Sequence, residues 1–335
     1  MIFGFGDRLD PAPKLVDRHQ FFHRQHLAER IDFPIEFGQP VRLDVHRLAH
    51  EFRGTAQVVV CPLGFLVHAW RLAQGAHAAT GTPMLLTAED PSPIRVLRET
   101  GASDLFLTAD HAGRAIPKAL GTLGVSDAEM ERHIAWDIGI AAVTEQLSEM
   151  LDATAVLQTY SRLVIDCNRN PSWPTAMPEI SEHTSIPGNV NLSPEAREAR
   201  VAAIFTPYHD RIAGLLDARA HRRTVLIAMH SFTPSFKGES RAMQVGMLYN
   251  KDARLACILL ELLQREGDLI VGDNAPYAVT EDSDYSIPTH GEKRGLAHVE
   301  IEIRQDLIAS PNGQQAWARR FARLLTAADA VLKAQ

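Results

Sequence analysis

The chain has 335 residues, 45% hydrophobic and 22% charged, an ordinary globular balance that suits one large α/β domain, or one domain of about 250 residues with an appendage. A formal net charge of -7 without any clustered basic stretch argues against a nucleic-acid partner, because phosphate binding needs concentrated Lys and Arg. Cys61, Cys167 and Cys257 are widely separated and form no C-x-x-C, so neither a disulfide framework nor a thiolate zinc site is expected, and a reducing cytoplasm fits.

Residues 1–83 read differently from the rest. They hold seven of the fifteen His and show no sustained hydrophobic period. His19, His23 and His26 stand at helical spacing, but no cap or strand signal fixes a site there. "GFGDRL" lacks both the preceding strand and the third Gly of a dinucleotide fingerprint. The start has no basic region or apolar core of a signal peptide. "AQVVVCPLGFLVHAW", broken by Pro62, Gly64 and His68, is too short to span a bilayer, so no membrane partner is expected. This segment is expected to be an N-terminal extension, poorly ordered or outside the natural protein through a start codon placed too far upstream. The alternative is a genuine accessory extension. The working domain is expected over 84–335.

From Met84 the pattern becomes regular. "DLFLTA" predicts a strand ending on Asp110-His111. Ser126 to Leu151 predicts one helix, opened by the capping box Ser126-x-x-Glu129. "TAVLQTY" and "RLVIDC" predict two strands, and Ser193-Pro194 starts a helix that Pro207 kinks. "TVLIAMH" and "VGMLY" predict strands, Asp252 to Glu266 a helix closed by Gly267, "HVEIEIRQ" a late strand, and Ala316 to Lys333 a closing helix. Strands alternating with helices predict an α/β three-layer sandwich around a mixed, mostly parallel sheet.

Polar residues gather where strands end. His111 and His230 each follow an apolar run, so both belong at one edge of a parallel sheet, where ligands collect. On the predicted helix, His133 and Asp137 are four apart and share a face; Asp137 offers a carboxylate ligand and His133 a supporting or alternate one. Two His, one carboxylate and an open position make a catalytic zinc set. In "HVEIEIRQ", alternation puts Val299, Ile301 and Ile303 on one face, and His298, Glu300, Glu302 and Arg304 on the other. Either this is an exposed edge strand or one Glu serves as a general base. Arg162, Asp166, Asn168 and Arg169 around "RLVIDC" predict an anionic substrate, with an Asp166–Arg salt bridge as the structural alternative.

Together, "DHAGRAIP", "RHIAWDIG", "YSRLVIDCNRNP", "MHSFTP", "VGDNAPY" and "HGEKRGLAHVEIEIRQDLI" resemble the N-formylglutamate amidohydrolase family over roughly residues 84 to 330. The resemblance implies a zinc-carboxypeptidase-like, phosphorylase/hydrolase-like fold related to the aspartoacylases. It implies one divalent ion per chain, zinc or another, on His111 and His230. It further implies that Asn168-Arg169 holds the substrate carboxylate, that Arg162 faces the scissile carbonyl, and that Glu302 is the catalytic Glu. Carboxypeptidases place a ligating Glu three residues after the first His, where this chain has Arg114; Asp137 is taken as the carboxylate instead. "HIAWDIG" also departs from the Asp-rich helix of the better-known deformylases. The implied substrate is a small anionic N-acyl amino acid, N-formyl-L-glutamate first, giving formate and the free amino acid. Lys293, Arg294 or Arg304 would meet a side-chain carboxylate, residues 273–295 are long enough for a lid, and the protein would act as a monomer or homodimer. A zinc peptidase, another N-acyl amino acid deacylase, and a non-catalytic carboxylate-binding protein are the alternatives.

Overall fold

The computed structural model describes residues 84–335; the expectations for residues 1–83 lie outside the described residues. Seven strands form one sheet: β1 (Ile94–Leu97), β2 (Leu105–Ala109), β3 (Thr154–Gln158), β4 (Val225–Phe232), β5 (Val245–Leu248), β6 (Val271–Asp273) and β7 (Ala297–Arg304). Their order is β1-β3-β2-β4-β7-β5-β6. The centre, β3, β2, β4 and β7, is parallel; β1 and β5 pair antiparallel to it, and β6 follows β5. The sheet is mixed and mostly parallel, in an α/β fold.

Helices cover both faces. Helix α1 (Ile140–Leu151), α2 (Arg254–Glu266) and α3 (Pro311–Ala334) press Ile140, Leu147, Leu259, Leu263, Phe321 and Leu325 onto Leu107, Ile227, Met229 and Ile301. Each such side chain contributes about 1.5–3 kcal/mol on burial. On the opposite face Phe106, Val156, Leu226 and Ala228 meet Leu163, Ile165, Phe205, Tyr208 and Ile212. Both faces of β7 are therefore buried, and its two Glu lie in the interior of the sheet rather than on an exposed edge. Ser193 and Pro194 start a helix as expected; it widens into a π turn over Val201–Phe205 before Pro207 and resumes through Ala218. No helix among the described residues is long and apolar enough to cross a membrane.

Two predicted elements differ. The helix expected over 126–151 is a single turn, Asp127–Met130, capped by Ser126, and then α1. Between them, backbone groups find partners outside the segment. The Ala135 carbonyl accepts from the Arg162 amide and the Ser161 hydroxyl, the Ile138 carbonyl accepts from the Ser231 hydroxyl, and the Asp137 amide donates to the His111 carbonyl. Gly139 then restarts the helix at φ 83°, where a Cβ would also collide with the Ile308 carbonyl. "RLVIDC" is buried but forms turns, not a strand: Val164 donates to the Ser161 carbonyl and Arg169 to the Asp166 carbonyl.

Behind the sheet lies a buried imidazole pair. His209 donates from Nε2 to the Cys167 carbonyl (2.8 Å) and accepts at Nδ1 from His290 Nε2 (2.9 Å), so both rings are neutral in this arrangement. Burial pushes His209 down to about 4 and His290 to about 3. Because the folded values lie below the unfolded one, the pair favours the folded state at neutral pH and loses that contribution as pH falls from about 6.5 toward 4. We expect acidification across this window to cost about 3 kcal/mol through His209. Denaturant titrations of wild type and His209→Gln at pH 7 and pH 4.5 check this; an equally steep pH dependence in the variant would refute it.

Candidate active site

At the carboxyl ends of β2, β4 and β7 the polar residues converge. His111 follows β2, His230 lies on β4, and Glu302 stands opposite His230 in the register of β7. The His111 and His230 rings are 5.0 Å apart and inclined at 69°. Asp137 joins them from the break before α1, not from a helix face. Its Oδ2 lies 3.1 Å from His230 Nδ1 and 3.6 Å from His111 Nδ1, and it accepts from the Ser231 amide at 3.0 Å. His111, Asp137 and His230 are all buried, and each offers a ligand atom within 4.8 Å of the others.

This trio fits a metal ion. Donor atoms around a tetrahedral ion with 2.0–2.1 Å bonds are roughly 3.3 Å apart, which the two contacts to Asp137 bracket. His111 Nδ1 has no hydrogen-bond partner among the described residues. The outer ring nitrogens face carboxylates: His111 Nε2 bonds Asp166 Oδ1 at 2.7 Å, and His230 Nε2 lies 3.7 Å from Asp110 and 3.9 Å from Glu300. Tyr208 in turn donates to Asp110 at 2.6 Å. Carboxylates behind histidines are the usual means of fixing the ligating nitrogen.

The electrostatics agree. Burial alone would raise Asp137 and lower both imidazoles. The histidines instead hold Asp137 below the carboxylate range, while Asp166 and Asp137 raise His111, and Glu300, Asp110 and Asp137 raise His230. Asp137 and Asp166 pair with Arg162, while Asp110 and Glu300 lie behind His230, so each of these cationic side chains already faces a carboxylate. Glu300 and Glu302 are each pushed up to about 8, by burial first, against the opposing pull of His230. Oε2 of each lacks a hydrogen bond among the described residues.

The trio and both glutamates line a cavity of about 570 Å³, a size suited to a small ligand. Arg162 lines it too, held by Asp166 through Nε (3.0 Å) and Nη2 (2.7 Å), with Nη1 3.4 Å from Asp137. Arg169 reaches the cavity with Nη1 on the Ser283 carbonyl and near Asp284; its Nε and Nη2 have no protein partner among the described residues.

Several expected residues behave differently. His133 lies apart from the trio, its Nε2 3.6 Å from Glu182, a buried carboxylate of the cavity wall that also pairs with Arg132. Asn168 lines the cavity, but its amide is engaged: Nδ2 donates to Asp284, and Oδ1 accepts from the Tyr285 and Ser286 amides. It anchors the 280–286 loop, so its influence on a substrate passes through Arg169. Arg304 does not line the cavity; its guanidinium binds Asp306 and the carbonyls of Arg241, Ala242 and Met243. Arg294 pairs with Asp217 at the surface, and Lys293 is exposed. The sequence reading left unassigned the Asp166–His111 bond, Glu182, and the aromatic wall of Phe232, Phe236 and Tyr277.

Comparison with known proteins settles the family. Residues 103–309 match the sequence profile of N-formylglutamate amidohydrolases. The chain belongs to that family. It is therefore a hydrolase of the amidohydrolase type. Among solved structures, a gene product of Agrobacterium tumefaciens is 38% identical, with a TM-score of 0.72 over 74% of this chain and 99% of that one. The N-formylglutamate amidohydrolase of Ralstonia eutropha JMP134 is 19% identical, with a TM-score of 0.54 over 73% of this chain and 100% of its own, and shares the fold. No curated protein sequence matches the chain. Within this N-formylglutamate amidohydrolase fold the profile spans every strand from β2 to β7, and with them the trio and both glutamates.

Proposed function

We propose that this family member is a metal-dependent hydrolase of N-formyl amino acids, acting on substrates such as N-formyl-L-glutamate. The observation that carries the reading is the His111–Asp137–His230 group, with Glu302 beside it in one cavity. His111, Asp137 and His230 would hold one divalent ion, zinc by donor type, which supplies Lewis acidity toward the scissile carbonyl and lowers the pKa of water.

The chain's own groups then have defined tasks. Glu302, whose ionised form a divalent cation on the trio would favour, accepts a proton from the attacking water as the water oxygen bonds to the formyl carbon. It returns that proton to the amide nitrogen as the C–N bond breaks, leaving formate and the free amine. Arg162, aligned by Asp166, opposes the charge that develops on the carbonyl oxygen. Arg169 offers Nε and Nη2 to the α-carboxylate, held in place by Asp284, which Asn168 in turn positions.

The test is product analysis. Zinc-loaded protein given N-formyl-L-glutamate is expected to release formate and glutamate in equal amounts. Cleavage of dipeptides without formate release would favour the peptidase, release of other acyl groups a general deacylase, and binding without turnover a carboxylate-binding protein.

We also propose that residues 84–335 form the catalytic domain and that 1–83 are dispensable. The described part contains both faces of its own core, the trio and Glu302. A chain beginning at Met84 is expected to melt cooperatively and keep the full-length kcat/KM; aggregation or lost activity would overturn this.

A further inference from the structure

Against three aromatic side chains of the cavity wall lies a cation, Arg241, that the proposed chemistry does not use. Arg241 follows the hairpin of Ser235–Phe236 and Glu239–Ser240, and its backbone is fixed on both sides. The Arg241 amide donates to the Pro234 carbonyl at 2.8 Å, while Arg304 reaches over from β7 to hold the carbonyls of 241–243. From this clamp the guanidinium projects among three rings, its central carbon 4.7 Å from the centroid of Tyr277, 5.0 Å from Phe236 and 5.8 Å from Phe232. All three rings line the cavity. One nitrogen donates to the Tyr277 hydroxyl at 2.7 Å.

What sets Arg241 apart is its missing counter-ion. Arg162 is paired with Asp166, Arg169 with Asp284, Arg132 with Glu182 and Arg304 with Asp306. Among the described residues, no carboxylate comes within salt-bridge distance of Arg241. Aromatic faces hold a guanidinium in place and strip part of its water without neutralising it. The result is an oriented positive charge beside an amino-acid-sized cavity, with N–H donors that no other side chain among the described residues fills. Such an arrangement suits a planar anion, which the guanidinium fork matches and an ammonium does not.

We propose that Arg241 is a specificity-determining residue that receives the second carboxylate of a dicarboxylic N-acyl amino acid. This rests on the function proposed above. Arg169 takes the α-carboxylate, and Arg241, from the hairpin side of the cavity, distinguishes an acidic side chain from its neutral amide.

The decisive comparison is N-formylglutamate against N-formylglutamine, nearly equal in shape and different in charge. In wild type, kcat/KM favours the glutamate compound. In Arg241→Gln that preference is expected to fall roughly tenfold or more, the scale of one charge-assisted pair. Arg241→Lys, which keeps the charge but loses the fork, is expected to fall between. Equal losses on both substrates, or an unchanged ratio, would show Arg241 to be structural and overturn the proposal, while formate release would leave the amidohydrolase reading intact. If wild type releases formate from neither compound, that reading fails on its own. Calorimetric binding of glutarate against its monoamide to wild type and Arg241→Gln then decides the role of Arg241 by the same ratio.

Discussion

His230→Ala protein is expected to come through purification without its divalent ion and to turn over N-formyl substrate on the order of a thousandfold more slowly, as loss of a several-kcal/mol electrostatic contribution requires. His230 occupies a rigid central strand, with Nδ1 3.1 Å from Asp137 and its other nitrogen toward Asp110 and Glu300. No neighbouring side chain on β4 can take its place, because Met229 and Ser231 point to the other face of the strand. Removing the ring also leaves buried carboxylates facing one another, so His230→Gln, with a melting curve, separates loss of metal from loss of fold. Elemental analysis gives the result directly. Stoichiometric metal retained in a His111→Ala, His230→Ala double variant would eliminate this site.

Glu302→Gln should separate metal binding from chemistry. The amide preserves shape but cannot accept a proton, so turnover is expected to drop at least about a hundredfold with metal content unchanged. Glu300→Gln is the comparator, two residues away on the same face of β7 and equally buried. The two differ in surroundings: Glu300 lies 3.9 Å from His230 Nε2, behind the ring, whereas Glu302 stands opposite His230 and is influenced by Asp137, Arg162 and Arg241. An inactive Glu300→Gln beside an active Glu302→Gln would move the proton transfer by one strand repeat.

The central strands were legible because apolar periodicity and chemistry coincide there. Glu300 and Glu302 alternating with Val299, Ile301 and Ile303 left two readings, an exposed edge strand or a polar stretch inside the sheet, and the burial of both faces decides for the second. The outer strands Ile94–Leu97 and Val271–Asp273 passed unnoticed, being short and only partly buried. "RLVIDC" misled for the opposite reason: burial produces the same apolar run whether or not the backbone pairs with a neighbour. The helix over 126–151 was overextended because side-chain spacing does not reveal that the Ala135 and Ile138 carbonyls are taken by Arg162, Ser161 and Ser231. Asp137 thus reaches the histidines through a broken helix, not through the i,i+4 relation to His133 that first drew notice to it. The Asp166–His111 bond spans 55 residues of sequence and leaves no local trace.

The pairing of β4 with β7 has a consequence for durability. These strands are matched over their full length in the middle of the sheet, so the amides of His230 and Glu302 should exchange with deuterated solvent only when the whole domain unfolds. The hairpins at Ile180–Ser185 and Ser235–Ser240 are two residues per strand, and their amides should exchange through brief local openings. Reactivity would then persist as long as the domain itself, while the rim tolerates insertion and drift. A lineage could retune which compounds enter by rewriting those hairpins, leaving the two strands beneath them untouched.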